Sequence, residues 1–205
     1  HSPNFVLVSM NVTSLKRSAT SSQASLPVRQ QAMALHGIAA NKIVCLQETR
    51  WIQEDRAHYH QEWGAVSIHA SYAVRKETGL TGGVAVLLPA HTLRSKPSTT
   101  ELSPGYASLV EAKYYGCQLG VISLYLPPGR EKEILATVRR ALEPLSLPDI
   151  LFLGTDHNQA PSMPMYHRFL EDYALTPALR GQVPTYFHGN SKRSALDNVY
   201  ARHPG

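Results

Sequence analysis

In this chain, apolar strand-like runs end repeatedly in short polar signatures. Ser9-Met10-Asn11-Val12-Thr13 follows Phe5-Val6-Leu7-Val8, and Gln47-Glu48-Thr49 follows Ile43-Val44-Cys45-Leu46. Tyr125-Leu126-Pro127 comes after Leu119-Gly120-Val121-Ile122, and Asp156-His157-Asn158 after Ile150-Leu151-Phe152-Leu153, with Ser194-Ala195-Leu196-Asp197 last. In a sheet protein, polar groups that leave the ends of several buried strands gather at one rim. The carboxylates Glu48 and Asp156, together with the carboxamides Asn11 and Asn158, suit a hard divalent ion and phosphate oxygens.

The rest of the chain supplies the elements such a rim needs. Residues 5–10 read as a strand, 13–25 as a polar loop, and Pro27 fits the first turn of a helix through Met33, Leu35, Ile38 and Ala39. Residues 42–47 are the next buried strand, and 51–63 read as irregular. Strands over 65–74 and 83–88 flank a charged loop with Gly79, Gly82 and Gly83, and 108–115 with 118–125 form a hairpin near Gly116. Residues 131–142 have helical spacing, with Ile134, Leu135, Val138 and Leu142 on one face. A strand over 150–153 follows, then a helix over 163–173 and a short strand at Val199 and Tyr200. Hairpins mixed with strand-helix-strand units specify an α/β fold of two packed mixed β-sheets flanked by helices, a four-layer α/β sandwich.

Composition narrows the partner. The 205 residues suit a single domain, and a formal charge of +5 favours a polyanionic partner. Cys45 and Cys117 lie in apolar stretches, so two buried thiols in a reducing compartment are expected rather than a disulfide or a cysteine-based zinc site. No apolar run approaches membrane-spanning length and the N-terminus lacks a signal-peptide pattern, so the expectation is an intracellular protein without membrane contact.

Taken in order, Asn11, Glu48, Tyr125, Asp156-x-Asn158 and Ser194-x-x-Asp197 resemble the motif series of the exonuclease-endonuclease-phosphatase family over nearly the whole chain. Each motif alone is common; their order, spacing and strand-end placement carry the resemblance. Asn11-Val12-Thr13-Ser14-Leu15, Leu46-Gln47-Glu48-Thr49-Arg50-Trp51, Gly82-Gly83-Val84 and Pro184-Thr185-Tyr186-Phe187 look like the endonuclease domain of non-LTR (LINE-type) retrotransposons. Such domains are similar to apurinic/apyrimidinic endonucleases. The resemblance implies a divalent-metal-dependent endonuclease that nicks target DNA to prime reverse transcription, with Mg2+ or Mn2+ as cofactor. Double-stranded DNA would be the partner and a reverse transcriptase domain would share the polyprotein, the isolated domain being a nuclear monomer. The competing expectations are an apurinic/apyrimidinic repair endonuclease, another phosphodiesterase of the family, and a catalytically impaired DNA- or protein-binding domain.

By resemblance, Glu48 binds the metal with Asn11 beside it, Asp156 orients or deprotonates the attacking water, and Asn158 holds the phosphate or that water. Tyr125 hydrogen-bonds the phosphate or the leaving oxygen, and Asp197 fixes a histidine. Lys192, Arg193 and Ser194 are candidate DNA contacts, as are residues 79–83 and 181–192. Taken singly, Asn11 and Asn158 read equally as turn formers, Tyr125 as a packing ring, and Asp197 as a cap or a partner of Arg193. The sequence departs from the family pattern with Thr155 before the aspartate, where the family has glycine, and with Thr13 where repair enzymes carry a carboxylate. The family's last strand and terminal Ser-Asp-His motif are expected to be missing, by truncation first or by loss, the alternative being that His203, close to Asp197 in the sequence, folds back to supply the histidine.

Overall fold

Strands β1 (Leu7–Asn11) and β2 (Ile43–Gln47) run parallel, with α1 (Leu26–Ala39) between them in the chain. This is the strand-helix-strand unit read from the sequence. The computed structural model describes residues 6–12, 15, 26–158, 160–178, 186–188, 191–194 and 197–202. After β2 come α2 (Arg56–Glu62), β3 (Val66–Ser71), a small hairpin of β4 (Val74–Lys76) with β5 (Gly79–Thr81), and β6 (Val84–Pro89). Strands β1, β2, β6 and β3 form a four-stranded sheet in that order.

The second sheet starts with β7 (Ser98–Ser103), β8 (Ala107–Tyr114) and β9 (Cys117–Tyr125), a meander of antiparallel neighbours. Helix α3 (Glu131–Leu142) returns the chain so that β10 (Ile150–Asp156) pairs parallel with β9. Helix α4 (Pro164–Asp172), β11 (Thr176–Pro177), the hairpin β12 (Tyr186–His188) with β13 (Ser191–Ser194), and β14 (Asp197–Arg202) follow. The sheet order is β11-β14-β10-β9-β8-β7, six strands.

Strand alternation divides the apolar residues among three cores. Ile43 and Cys45 of β2, Val86 and Leu88 of β6, and Leu119 and Val121 of β9 are buried between the sheets. Val44, Leu46, Ala85 and Leu87 face the other way, against Leu35 and Ala39 of α1 and the aromatic group Trp51, Tyr59 and Trp63. Leu151 and Leu153 of β10 pack with Ile134, Leu135, Val138 and Leu142 of α3 and Tyr166 and Phe169 of α4. Each sheet is thus buried on both faces, which is why its strands read as apolar runs, and the layers are helix, sheet, sheet, helix.

Four local expectations are corrected. Residues 56–62 are helical because Tyr59 and Trp63, four apart, bury one face of an otherwise polar segment. The charged loop before β6 is the β4–β5 hairpin. Strand β7 carries no apolar alternation until Leu102, since it is an exposed edge, and this hid it from a periodicity reading. Cys117 is only partly buried, whereas Cys45 is fully buried and free, its thiol pushed up to about 12 by desolvation. Among the described residues no helix is long and apolar enough to cross a membrane.

Candidate active site

The inward faces of β1, β2, β9 and β10 change character along their length. Near the base they carry Leu7, Ile43, Leu119, Val121, Ile150 and Phe152. One step higher are Ser9, Ser123 and Gly154, and at the C-terminal rim Asn11, Gln47, Tyr125 and Asp156. The period of two makes this one continuous gradient from core to rim.

Gln47 ties the sheets together just below the rim. Its side chain is fully buried, and Nε2 donates to Ser9 Oγ at 3.2 Å, Ser123 Oγ at 3.2 Å and the Gly154 carbonyl at 3.4 Å. Ser123 in turn donates to the Leu46 carbonyl at 2.9 Å. The sheets approach so closely here that a Cβ at Gly154 would sit 2.5 Å from Cys45 Cβ and 2.9 Å from Ser9 Oγ. The glycine the site requires is therefore Gly154, and Thr155 is an ordinary buried strand residue between Leu124 and Asn198.

Glu48 reaches the rim by a different route. Continued alternation would send it to the helix side with Val44 and Leu46, but its φ of 55° is left-handed and turns it back over β1. That conformation costs a non-glycine residue about 1–2 kcal/mol and must be held by its surroundings. The holding groups are glycine backbone. Thr49 N–H donates to the Gly83 carbonyl at 2.9 Å, Arg50 N–H to Gly82 at 3.0 Å, and Gly83 N–H to Gly105 at 2.8 Å. A Cβ at Gly83 would lie 2.5 Å from Thr49 Oγ1, and one at Gly82 2.5 Å from the Gly105 carbonyl. Gly82 and Gly83, expected among the DNA contacts, are thus buried supports of the Glu48 turn, while Arg75, Lys76 and Glu77 at the tip of the β4–β5 hairpin are exposed.

At the rim the four strand ends meet. Asn11 Nδ2 donates to Glu48 Oε2 at 2.9 Å and to Asp156 Oδ2 at 2.6 Å. Tyr125 hydrogen-bonds Glu48, and its hydroxyl pKa is pushed far above the usual phenol value by burial first and by the Glu48 and Asp156 charges second. The phenol is therefore protonated, and a hydrogen-bond donor, near neutral pH. Its ring stacks on Tyr106 at 6.1 Å between centroids, and Tyr106 Oη accepts a hydrogen bond from Arg130 Nη1 at 2.8 Å. Arg130 is held by Glu133, through Nε at 3.0 Å and Nη2 at 2.8 Å.

Asn158 also has a left-handed backbone, φ 46°, and its Nδ2 donates to the Leu126 carbonyl at 2.8 Å. With Leu126 N–H donating to the Asp156 carbonyl at 2.9 Å, it locks the β9 exit to the β10 exit. His157 is buried against Tyr166 and its pKa is lowered by desolvation, the signature of a packing residue. Asp197 opens β14 at the register position opposite Asp156, so its backbone is at the rim. The side chains of His188, Lys192, Arg193, Ser194 and Asp197, and all of Thr13, residues 179–185 and His203, lie outside the described residues.

The donor set fits a hard divalent cation. Two carboxylate oxygens lie within hydrogen-bonding distance of one nitrogen, and a half-rotation of the Asn11 carboxamide would exchange Nδ2 for an oxygen ligand. Among the described residues no group of three or more His, Cys, Asp and Glu is gathered.

Sequence reasoning missed Tyr106, Arg130, Gly105 and the bracing role of Gln47. Gln47 stood in its own Gln-Glu-Thr signature, but nothing local marks Tyr106 or Arg130, which meet only through the sheet order.

Solved structures define the class of fold. The chain matches an endonuclease/exonuclease/phosphatase family protein from Leptotrichia buccalis with TM-score 0.58 and 15% identity, over 95% of this chain and 86% of that one. It has that sandwich fold. More particularly, it matches the endonuclease domain of TRAS1, a telomere-specific non-LTR retrotransposon, with TM-score 0.60 and 15% identity over 95% of this chain and 84% of that one. It also matches the AP endonuclease LMAP from Leishmania major, with TM-score 0.65 and 13% identity over 97% and 78%. No family model matches the sequence, and no curated protein matches it.

Proposed function

We propose that this chain is a divalent-metal-dependent endonuclease that nicks one strand of DNA, leaving a 3′ hydroxyl that primes reverse transcription. The observation that carries the nuclease reading is the Asn11 amide between Glu48 and Asp156, with the protonated Tyr125 phenol alongside. Support for the retrotransposon setting is narrower: the motif texture around Asn11, Glu48 and Gly82-Gly83, and the fold likeness to the TRAS1 domain.

Glu48 and Asn11 would hold Mg2+ or Mn2+, which when bound neutralises charge building up on the phosphate. Asp156 accepts a proton from the attacking water or aligns it. Tyr125, its pKa raised by burial, would pass its one hydrogen bond from Glu48 to a phosphate or leaving-group oxygen, which is where negative charge grows. Asn158 fixes the Asp156 exit and has a second amide hydrogen to offer the phosphate. Asp197 would orient an imidazole, and Lys192, Arg193 and Ser194 would contact the duplex backbone.

The test is relaxation of a supercoiled plasmid with magnesium, comparing Glu48→Ala and Asp156→Ala with the parent. Each should lose nicking by about 10²-fold or more while the fold persists. Unchanged nicking in both would sink the proposal. The likeness to LMAP favours a second reading, repair of abasic sites. A strong preference for a duplex carrying one abasic site over an intact duplex would select it.

A further inference from the structure

Beyond the rim, a second polar cavity opens where the edge strands β3 and β7 of the two sheets come together under α2. Its volume is about 450 Å³, and Arg56, His60, His69 and Lys96 all line it, with the hydroxyls of Ser67 and Thr99. His69 is fixed at both ring nitrogens, Nε2 to Ser67 Oγ at 2.8 Å and Nδ1 to Thr99 Oγ1 at 3.0 Å. Among the described residues no carboxylate lines it: Glu54 and Asp55 precede Arg56 outside the cavity, and Glu101, farther along β7, is occupied by the Ser71 hydroxyl at 2.6 Å.

A larger groove between α3 and α4 shows how the fold treats cations elsewhere. That groove, about 670 Å³, carries Arg139 and Arg140 with Glu143 and Asp172, and Arg139 pairs with Asp172. Among the described residues the β3–β7 cavity has no such internal neutralisation. Burial first, then His60 and Lys96, bring the His69 pKa down to about 4, and burial with Arg56 lowers that of His60, so both imidazoles are neutral partners here. The cations Arg56 and Lys96, beside two neutral imidazoles and with no carboxylate among the described lining residues, make a positive concavity whose natural complement is an anion.

Its position relates it to the rim. His69 pairs with Val86, and Val86 pairs with Cys45, so the cavity lies two strand spacings, about 10 Å, to the side of β2 and three residues, about 10 Å, below Glu48. At about 3.4 Å of axial rise per nucleotide, that is a few nucleotides along a bound strand.

We propose that the β3–β7 cavity is an accessory site for a backbone phosphate of the bound nucleic acid, held by Arg56 and Lys96 with His60, His69 and the two hydroxyls as neutral partners. It rests on the nucleic-acid reading above and adds a contact outside the catalytic rim.

The experiment uses the intact chain with Arg56→Gln, Lys96→Gln and the double variant, and Lys42→Gln, exposed at the far end of β2, as the control. Binding to a short duplex in EDTA across a salt series should give a log-log slope smaller by about one per cation removed, so about two in the double variant, with the control unchanged. Nicking at saturating DNA should remain as in the parent. In parallel, His60 and His69 ring resonances, followed as inorganic phosphate is added, should shift in the parent and not in the double variant. An unchanged salt slope overturns the site. Phosphate-induced shifts with an unchanged slope overturn the backbone assignment and leave only a free-phosphate site. A parent that neither binds nor nicks DNA overturns the endonuclease reading, and the histidine titration then still decides whether the cavity takes an anion.

Discussion

The two sheets deliver their rim residues in different ways. From the six-stranded sheet, Tyr125 and Asp156 arrive by plain alternation at adjacent register positions of two parallel strands. From the four-stranded sheet, Asn11 also arrives by alternation, but Glu48 needs a left-handed turn braced by Gly82, Gly83 and Gly105. One half of the site is therefore as robust as strand pairing, whereas the other depends on a local conformation that its neighbours impose. Substitutions distant from the chemistry should damage the second half more.

The sharpest contrast is between two left-handed glycines. Gly83→Ala puts a Cβ 2.5 Å from Thr49 Oγ1, and we expect about 3 kcal/mol of lost stability with a matching collapse of nicking. Gly129→Ala, on the β9 exit with nothing within 4 Å, should cost only the left-handed backbone penalty of about 1–2 kcal/mol and leave nicking intact. Urea unfolding beside the plasmid assay measures both; equal losses would remove the distinction between the halves.

The next effect concerns pH. The Tyr125 pKa is raised in the folded state, so below the ordinary phenol value of about 10 its contribution to stability is fully present. Above that value the unfolded chain releases the proton first, and stability falls by about 1.4 kcal/mol per pH unit from this group. Tyr125→Phe should flatten the alkaline decline by that amount relative to the parent when urea midpoints are compared from pH 9 upward. Identical slopes would mean that the phenol ionises freely in the fold.

A smaller difference tests the strain at Glu48 directly. Glu48→Ala keeps the left-handed penalty and Glu48→Gly relieves it, so the glycine variant should be the more stable by about 1 kcal/mol, both being inactive. Thermal unfolding of the pair decides this, and the reverse order would place the chain turn elsewhere. The smallest effect is expected on the other side, where Arg130→Gln loosens Tyr106 behind Tyr125. Nicking should fall about threefold, roughly 0.6 kcal/mol, with little change in substrate binding. A loss confined to binding would make Arg130 a substrate contact instead of a brace.

Much of this was legible in the chain itself. Glu48 stood out because a carboxylate after a fully apolar strand has no packing reason to be there, Asp156 because it opens an Asp-x-Asn signature past another apolar run, and α3 was readable from its four-residue face. Helix α2 and strand β7 were not, since one is a short helix held by two aromatics and the other an exposed edge without alternation. The Gly82-Gly83 pair was visible as a turn, but not as the support of a turn 35 residues earlier in the chain.

The sequence by itself determined the sandwich and which residues end its strands, because hydrophobic periodicity is local and is written residue by residue. Only the tertiary structure decided which strand ends meet, which way Glu48 turns, and that Gly154 rather than its neighbour must be small. Those depend on sheet order and on the spacing between two sheets, which arise from contacts between residues far apart in the chain. The cavity of Arg56, His60, His69 and Lys96 belongs to the same category: its members look like scattered surface cations until two sheet edges bring them together.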